Sequence, residues 1–158
     1  MKIRRIENKD NKAIAEVIRR ILTEHKINRP GTVFTDPTTN DLFALFKKRN
    51  SDYWVAEFEG KIVGGCGIYP TPGLPKGCIE LVKLYLDSKV RGLGFGKKLM
   101  ILSIKEAERL GYTSIYLETL PELSDALGLY ESLGFKMLHG PLGNSGHFAC
   151  TIWMVKKI

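Results

Sequence analysis

The stretch Val90-Arg91-Gly92-Leu93-Gly94-Phe95-Gly96-Lys97-Lys98-Leu99 concentrates the residue types that grip an anion. It follows an apolar, strand-like run from Ile79 to Leu86 and opens a helical pattern that lasts to about Leu110. Glycines let a backbone approach a ligand closely, and the first N–H groups of a helix have no intrahelical partner. Arg91, Lys97 and Lys98 add charge-assisted donors. Strand, glycine turn and helix in this order would hold a phosphate-bearing ligand. Two nucleotide loops do not fit it. A dinucleotide fingerprint needs G-x-G-x-x-G, but from Gly92 the sixth residue is Lys97. A Walker A loop needs a first glycine where Arg91 stands, and Ser or Thr where Lys98 stands.

The elements around this turn follow from hydrophobic period and breakers. Lys2 to Glu7 alternates as a first strand, and Asn11 to His25 carries Ile14, Val17, Ile18, Ile21 and Leu22 at helical spacing. Asn28 to Asn40, with Pro30, Gly31 and Pro37, is a loop placed to overlie a site, and Asp41 caps a short helix. Tyr53–Phe58 and Lys61–Tyr69 form a hairpin turning at Glu59-Gly60. Gly64, Gly65 and Gly67 within its second strand signal a bulge or a close backbone approach. The proline loop Pro70 to Pro75 leads into a fourth strand, Gly77 to Leu86. After the long helix come a strand at Ser114–Glu118, a short helix from Pro121 to Gly134, a Gly-rich turn and a final strand, His147 to Val155. The order β-α-α-β-β-β-α-β-α-β implies an α/β or α+β sheet with helices on both faces.

Composition sets outer limits. The 158 residues suit a single domain, residues 1–158, and their first residues read as a strand rather than a leader or an anchor. No apolar run approaches the ~20 residues that span a bilayer. Cys66, Cys78 and Cys150 form no C-x-x-C pair and read as reduced thiols of a cytoplasmic protein. His25, His139 and His147 lack metal-ligand spacing, so no metal is expected. The net charge of +7 is spread along the chain with no nucleic-acid motif, which argues against a nucleic-acid partner.

Arg91-Gly92-Leu93-Gly94-Phe95-Gly96 resembles the R/Q-x-x-G-x-G/A signature of the GNAT N-acetyltransferase superfamily. Tyr130-Glu131-Ser132-Leu133-Gly134-Phe135 resembles its Y-E-x-x-G-F signature, and the element order along essentially the whole chain is similar. The resemblance implies the acyl-CoA N-acyltransferase fold. That is an α/β (α+β by some schemes), mixed and mostly antiparallel sheet of six to seven strands, splayed at strands four and five. It also implies acetyl-CoA as cosubstrate. The pyrophosphate would lie on the turn Arg91, Gly92, Leu93, Gly94, Phe95, Gly96 and Lys97. The pantetheine arm would lie along Leu84, Tyr85 and Leu86. Glu80 would be the general base and Tyr130 the acid facing the leaving sulfur. An acid between Ile79 and Leu81 would have its pKa raised by burial, towards useful base strength. One departure stands out: Leu123 occupies the place of an asparagine that contacts the pantetheine in many members.

His147 could accept a proton or bind an acidic group, or be merely structural, and Glu118 could contact substrate or be a plain surface acid. The expected reaction is direct transfer of acetyl to a primary amine. Loops around the site favour a small-molecule acceptor over a protein lysine or N-terminus. A non-catalytic acyl-CoA-binding module is the alternative of another class. Exposed sheet edges are compatible with a homodimer.

Overall fold

A computed structural model describes residues 1–158 as one sheet between two helical layers. The strands are β1 (Lys2–Arg5), β2 (Asp52–Phe58), β3 (Lys61–Tyr69), β4 (Cys78–Leu86), β5 (Ser114–Thr119), β6 (Lys136–Met137) and β7 (Ile152–Lys157). The α-helices are α1 (Asn11–Glu24), α2 (Leu42–Leu45), α3 (Phe95–Arg109) and α4 (Leu127–Ser132). The seven strands lie in the order β1-β2-β3-β4-β5-β7-β6, and only β4 and β5 run parallel. Strand alternation divides the core in two. Tyr53 and Val55 join the cluster under α1, with Ile14, Ile18 and Leu22. Trp54 and Ala56 join the cluster under α3, with Phe95, Leu99 and Met100. No helix is long and apolar enough to cross a membrane.

Two irregularities of β4 shape the site. Its pairing with β5 covers only Cys78–Ser114, Ile79–Ile115 and Glu80–Tyr116; beyond Glu80 the strands part. On its other side, the register against β3 slips by one residue between Val82 and Tyr85. The extra residue makes a β-bulge, with Lys83 in the left-handed region at φ 51°. The bulge inverts the alternation. Val82 and Tyr85 both pack on the α1 side, whereas Leu81, Leu84 and Leu86 pack on the α3 side.

The three glycines of β3 now acquire separate reasons. A Cβ at Gly65 would stand 2.6 Å from both the Trp54 carbonyl oxygen and the Tyr53 ring, and one at Gly67 would stand 2.6 Å from the same ring. These glycines make room for Tyr53, whose buried hydroxyl donates to the Lys83 carbonyl at 3.1 Å and satisfies the bulge. Gly64, opposite Leu86, allows the close approach of the Tyr85 carbonyl. The glycines anticipated a bulge or a close approach; the close approach occurs at all three, and register shifts lie beside Gly64 against β2 and opposite Gly65 to Gly67 on β4.

Two expected strands differ. β1 stops at Arg5 because the Glu7 amide donates to Asp10 Oδ2 at 2.8 Å and starts a 3-10 turn. The last strand begins at Ile152 instead of His147. The residues before it are engaged elsewhere: the Ala149 amide donates to the Gly31 carbonyl at 3.1 Å, and the Phe148 ring packs against Gly31.

Candidate active site

The sequence builds the glycine turn from both ends. Asp87 caps a 3-10 turn, Ser88–Val90, by accepting from the Lys89 amide at 3.1 Å. Val90 and Phe95, each 1% exposed, are anchors in the core on either side. Between them Gly92 (φ 75°) and Gly94 (φ 83°) take left-handed conformations that disfavour any side chain. Nothing lies within 4 Å of where their Cβ atoms would be, so the turn's outer face is open to a ligand. The first hydrogen bond of α3 runs from Lys98 N–H to the Gly94 carbonyl, leaving the preceding amides without helical partners. Arg91 Nε donates to the Leu86 carbonyl at 3.3 Å, and its Nη2 stands 3.3 Å from His25 Nε2.

Where β4 and β5 part, a cavity of about 510 Å³ opens. Glu80, Leu84, Tyr85, Leu86, Arg91, Gly92, Gly94, Phe95, Gly96, Lys97 and Tyr130 all border it. Leu93 does not: its side chain is 53% exposed and turned to solvent. Leu123, at the position of the missing asparagine, does line the cavity. An acyl-CoA fits this cleft on three observations: an open glycine turn beside a helix start, basic side chains at the same end, and a strand edge free on the β5 side.

A second chamber of about 450 Å³ adjoins the first, and Glu80, Val82, Lys83 and His147 border both. Three loops border it. The Asn144 amide donates to the Pro72 carbonyl at 2.8 Å, joining the tail loop to the proline loop. Asp36, from the 26–41 segment, stands 3.0 Å from His147 of the tail. The loop expected to overlie a site does so, as Thr32, Thr35 and Asp36 face this chamber.

Glu80 is 3% exposed and accepts a short hydrogen bond from the Thr71 hydroxyl. Burial, reinforced by the negative charge of Glu118, outweighs the Thr71 bond and the Lys83 charge and pushes its pKa up to about 7. Glu118 is no plain surface acid. It accepts from the Tyr116 hydroxyl at 2.8 Å and from Ser145 Oγ at 2.7 Å, holding the tail loop to β5. Tyr130 is 5% exposed and burial raises its pKa, so the hydroxyl keeps its proton. It has no hydrogen bond within the chain, yet no sealed polar side-chain atom lacks a partner, so it opens to the cavity. The Cys150 thiol, pushed up to about 12 chiefly by burial, is no nucleophile.

Sequence reasoning missed Asp36 and Lys83. Lys83 Nζ, its side chain 4% exposed, lies 3.0 Å from Asp36 Oδ2. Burial opposes ionisation of Asp36, but the His147 hydrogen bond, the Lys83 charge and the Thr38 bonds together hold its carboxyl well below the usual range. The one available signal was an acid and a lysine in segments already marked for the site.

Residues 16–135 match the family model described as the acetyltransferase (GNAT) family. The chain is 37% identical over 157 residues to an uncharacterized N-acetyltransferase, YjgM, of Escherichia coli (strain K12), an alignment spanning 99% of this chain and 94% of that one. An acetyltransferase of the GNAT family from Staphylococcus aureus MU50 superposes with a TM-score of 0.87 at 20% identity, covering 99% of this chain and 98% of the other. An aminoglycoside 6'-N-acetyltransferase solved with coenzyme A superposes with a TM-score of 0.71 at 21% identity, covering 99% and 97%. The chain belongs to the acetyltransferase (GNAT) family and is an acetyl-CoA-dependent acetyltransferase.

Proposed function

We propose that this enzyme acetylates a primary amine of a small molecule by direct attack within a ternary complex. The observation that carries this reading is Glu80, a buried base placed where the donor cleft and a loop-bordered chamber meet. The chamber takes the acceptor. Its volume of about 450 Å³ and the three loops along its border suit a small amine better than an extended peptide.

Acetyl-CoA supplies the activated thioester carbonyl. Glu80 takes a proton from the amine nitrogen as the new bond forms, because a carboxylate with a pKa of about 7 is a competent base at neutral pH. The open edge of β4 from Leu84 to Leu86 aligns an amide-bearing arm by strand-like hydrogen bonds. The amides at the start of α3 and the side chains of Arg91 and Lys97 neutralise phosphate. Tyr130, protonated at Oη in the resting enzyme, donates to the departing sulfur, first as a hydrogen bond and then as the proton of the thiol.

A coupled thiol-release screen against amines, amino acids, polyamines, aminoglycosides and peptides tests the acceptor class. Small amines are expected to support the highest kcat/KM; turnover dominated by peptides would overturn the assignment. Tyr130→Phe is expected to lower kcat about 10- to 100-fold, the value of one hydrogen bond to a charged atom, with little change in acetyl-CoA affinity. Unchanged kcat would remove Tyr130 from the reaction.

A further inference from the structure

The Asp36 carboxylate joins three stretches that are distant in sequence. Oδ1 accepts from the Thr38 amide at 2.9 Å and the Thr38 hydroxyl at 2.6 Å. Oδ2 accepts from Lys83 Nζ and faces His147 Nε2, each at 3.0 Å. Every strong position on this carboxylate is in use, so Asp36 itself has little left for a substrate. An ionised carboxylate can only accept, so His147 Nε2 must carry a proton. Nδ1 makes no hydrogen bond within the chain. The histidine borders both the donor cleft and the acceptor chamber, with 18% of its side chain exposed.

Proton balance gives this arrangement a use. When a primary ammonium is acetylated, the N–C bond forms and the C–S bond breaks. The nitrogen gives up two protons, the sulfur leaves as a thiol with one, and one is released. Glu80 can hold a single proton at a time. We propose that His147 is the second proton acceptor, taking the first proton from the ammonium at Nδ1 and passing it to solvent, while Asp36 is the positioning residue that fixes its tautomer. Glu80 then takes the second proton as the N–C bond forms, and Tyr130 gives its own proton to the departing sulfur as the C–S bond breaks. The proton on Glu80 returns to Tyr130 through solvent, so that one proton is released per turnover. Lys83 keeps Asp36 ionised, and Glu118 holds the tail loop in place through Ser145. The inference rests on the amine-acetylation reading above.

Two measurements on the full chain test it. Long-range ¹H–¹⁵N spectra of the protein alone should show His147 protonated at Nε2, and Asp36→Asn should lose that fixed tautomer. Acetyl transfer by His147→Gln is then compared on two probes, an alkylamine that is an ammonium at pH 7 and methoxyamine, which is already neutral. The expected loss in kcat/KM is about 100-fold for the alkylamine and under about 5-fold for methoxyamine. A merely structural histidine would give equal losses. Equal losses, or a wild-type ring protonated at Nδ1, would overturn the proposal. The spectra require no acceptor, so failure of this assignment and failure of the amine reading remain distinguishable. His147→Gln also serves if Asp36→Asn does not fold.

Discussion

Replacing Glu80 by Gln is expected to lower kcat/KM about 100- to 10,000-fold while leaving the acetyl-CoA thermal shift intact. The change is isosteric and removes only the capacity to take a proton. The pH profile carries the sharper test. A base acts when ionised, and Glu80 has its pKa pushed up to about 7 by burial and by Glu118. With methoxyamine, whose nitrogen is already neutral, wild-type kcat/KM should therefore rise tenfold per pH unit below about 7 and level off above it. The Glu80→Gln profile should lose that limb. A variant that kept both the rate and the limb would show that another group is the base.

The second large effect concerns the donor. At acetyl-CoA near 100 times its Kd, mass action stabilises the fold by about 2.7 kcal/mol, roughly 5–10 °C in Tm for a chain of this size. The double change Arg91→Glu, Gly94→Asp should abolish that shift. It reverses a charge beside the open turn and sets a carboxylate where Gly94, at φ 83°, leaves free space. Both positions are on the surface side of the turn, between the Val90 and Phe95 anchors, so the fold itself should survive. A shift of wild-type size in the double variant would move the donor's phosphates elsewhere.

Legibility in the sequence followed the range of the interactions. The glycine turn and its flanking strand and helix are local and were readable from residue type and spacing. Glu80 between Ile79 and Leu81 was readable as a buried acid for the same reason. The two-residue strand β6 is too short to show any period. The tail was misjudged because Phe148 to Cys150 run on into the apolar residues of the last strand but are held by a loop more than 100 positions away, through Asp36 and Gly31. The Asp36–Lys83–His147 cluster spans separations of 47 and 111 residues, and no local pattern encodes it. Tyr53 is similar: an ordinary strand tyrosine in the sequence, it proves to be the prop beneath the Lys83 bulge.

The short ladder between β4 and β5 has a mechanical meaning as well. Three residue pairs, Cys78–Ser114 to Glu80–Tyr116, make up the strand ladder between the half-sheet β1–β4 and the half-sheet β5–β7–β6, while the core under α3 spans both. The sheet is thus two plates laced together at one end, and Glu80 sits at the last rung. An amide-bearing arm lying along Leu84–Leu86 would serve as a missing slat between the plates. The donor would then complete the enzyme's framework in the same act that delivers its acetyl group.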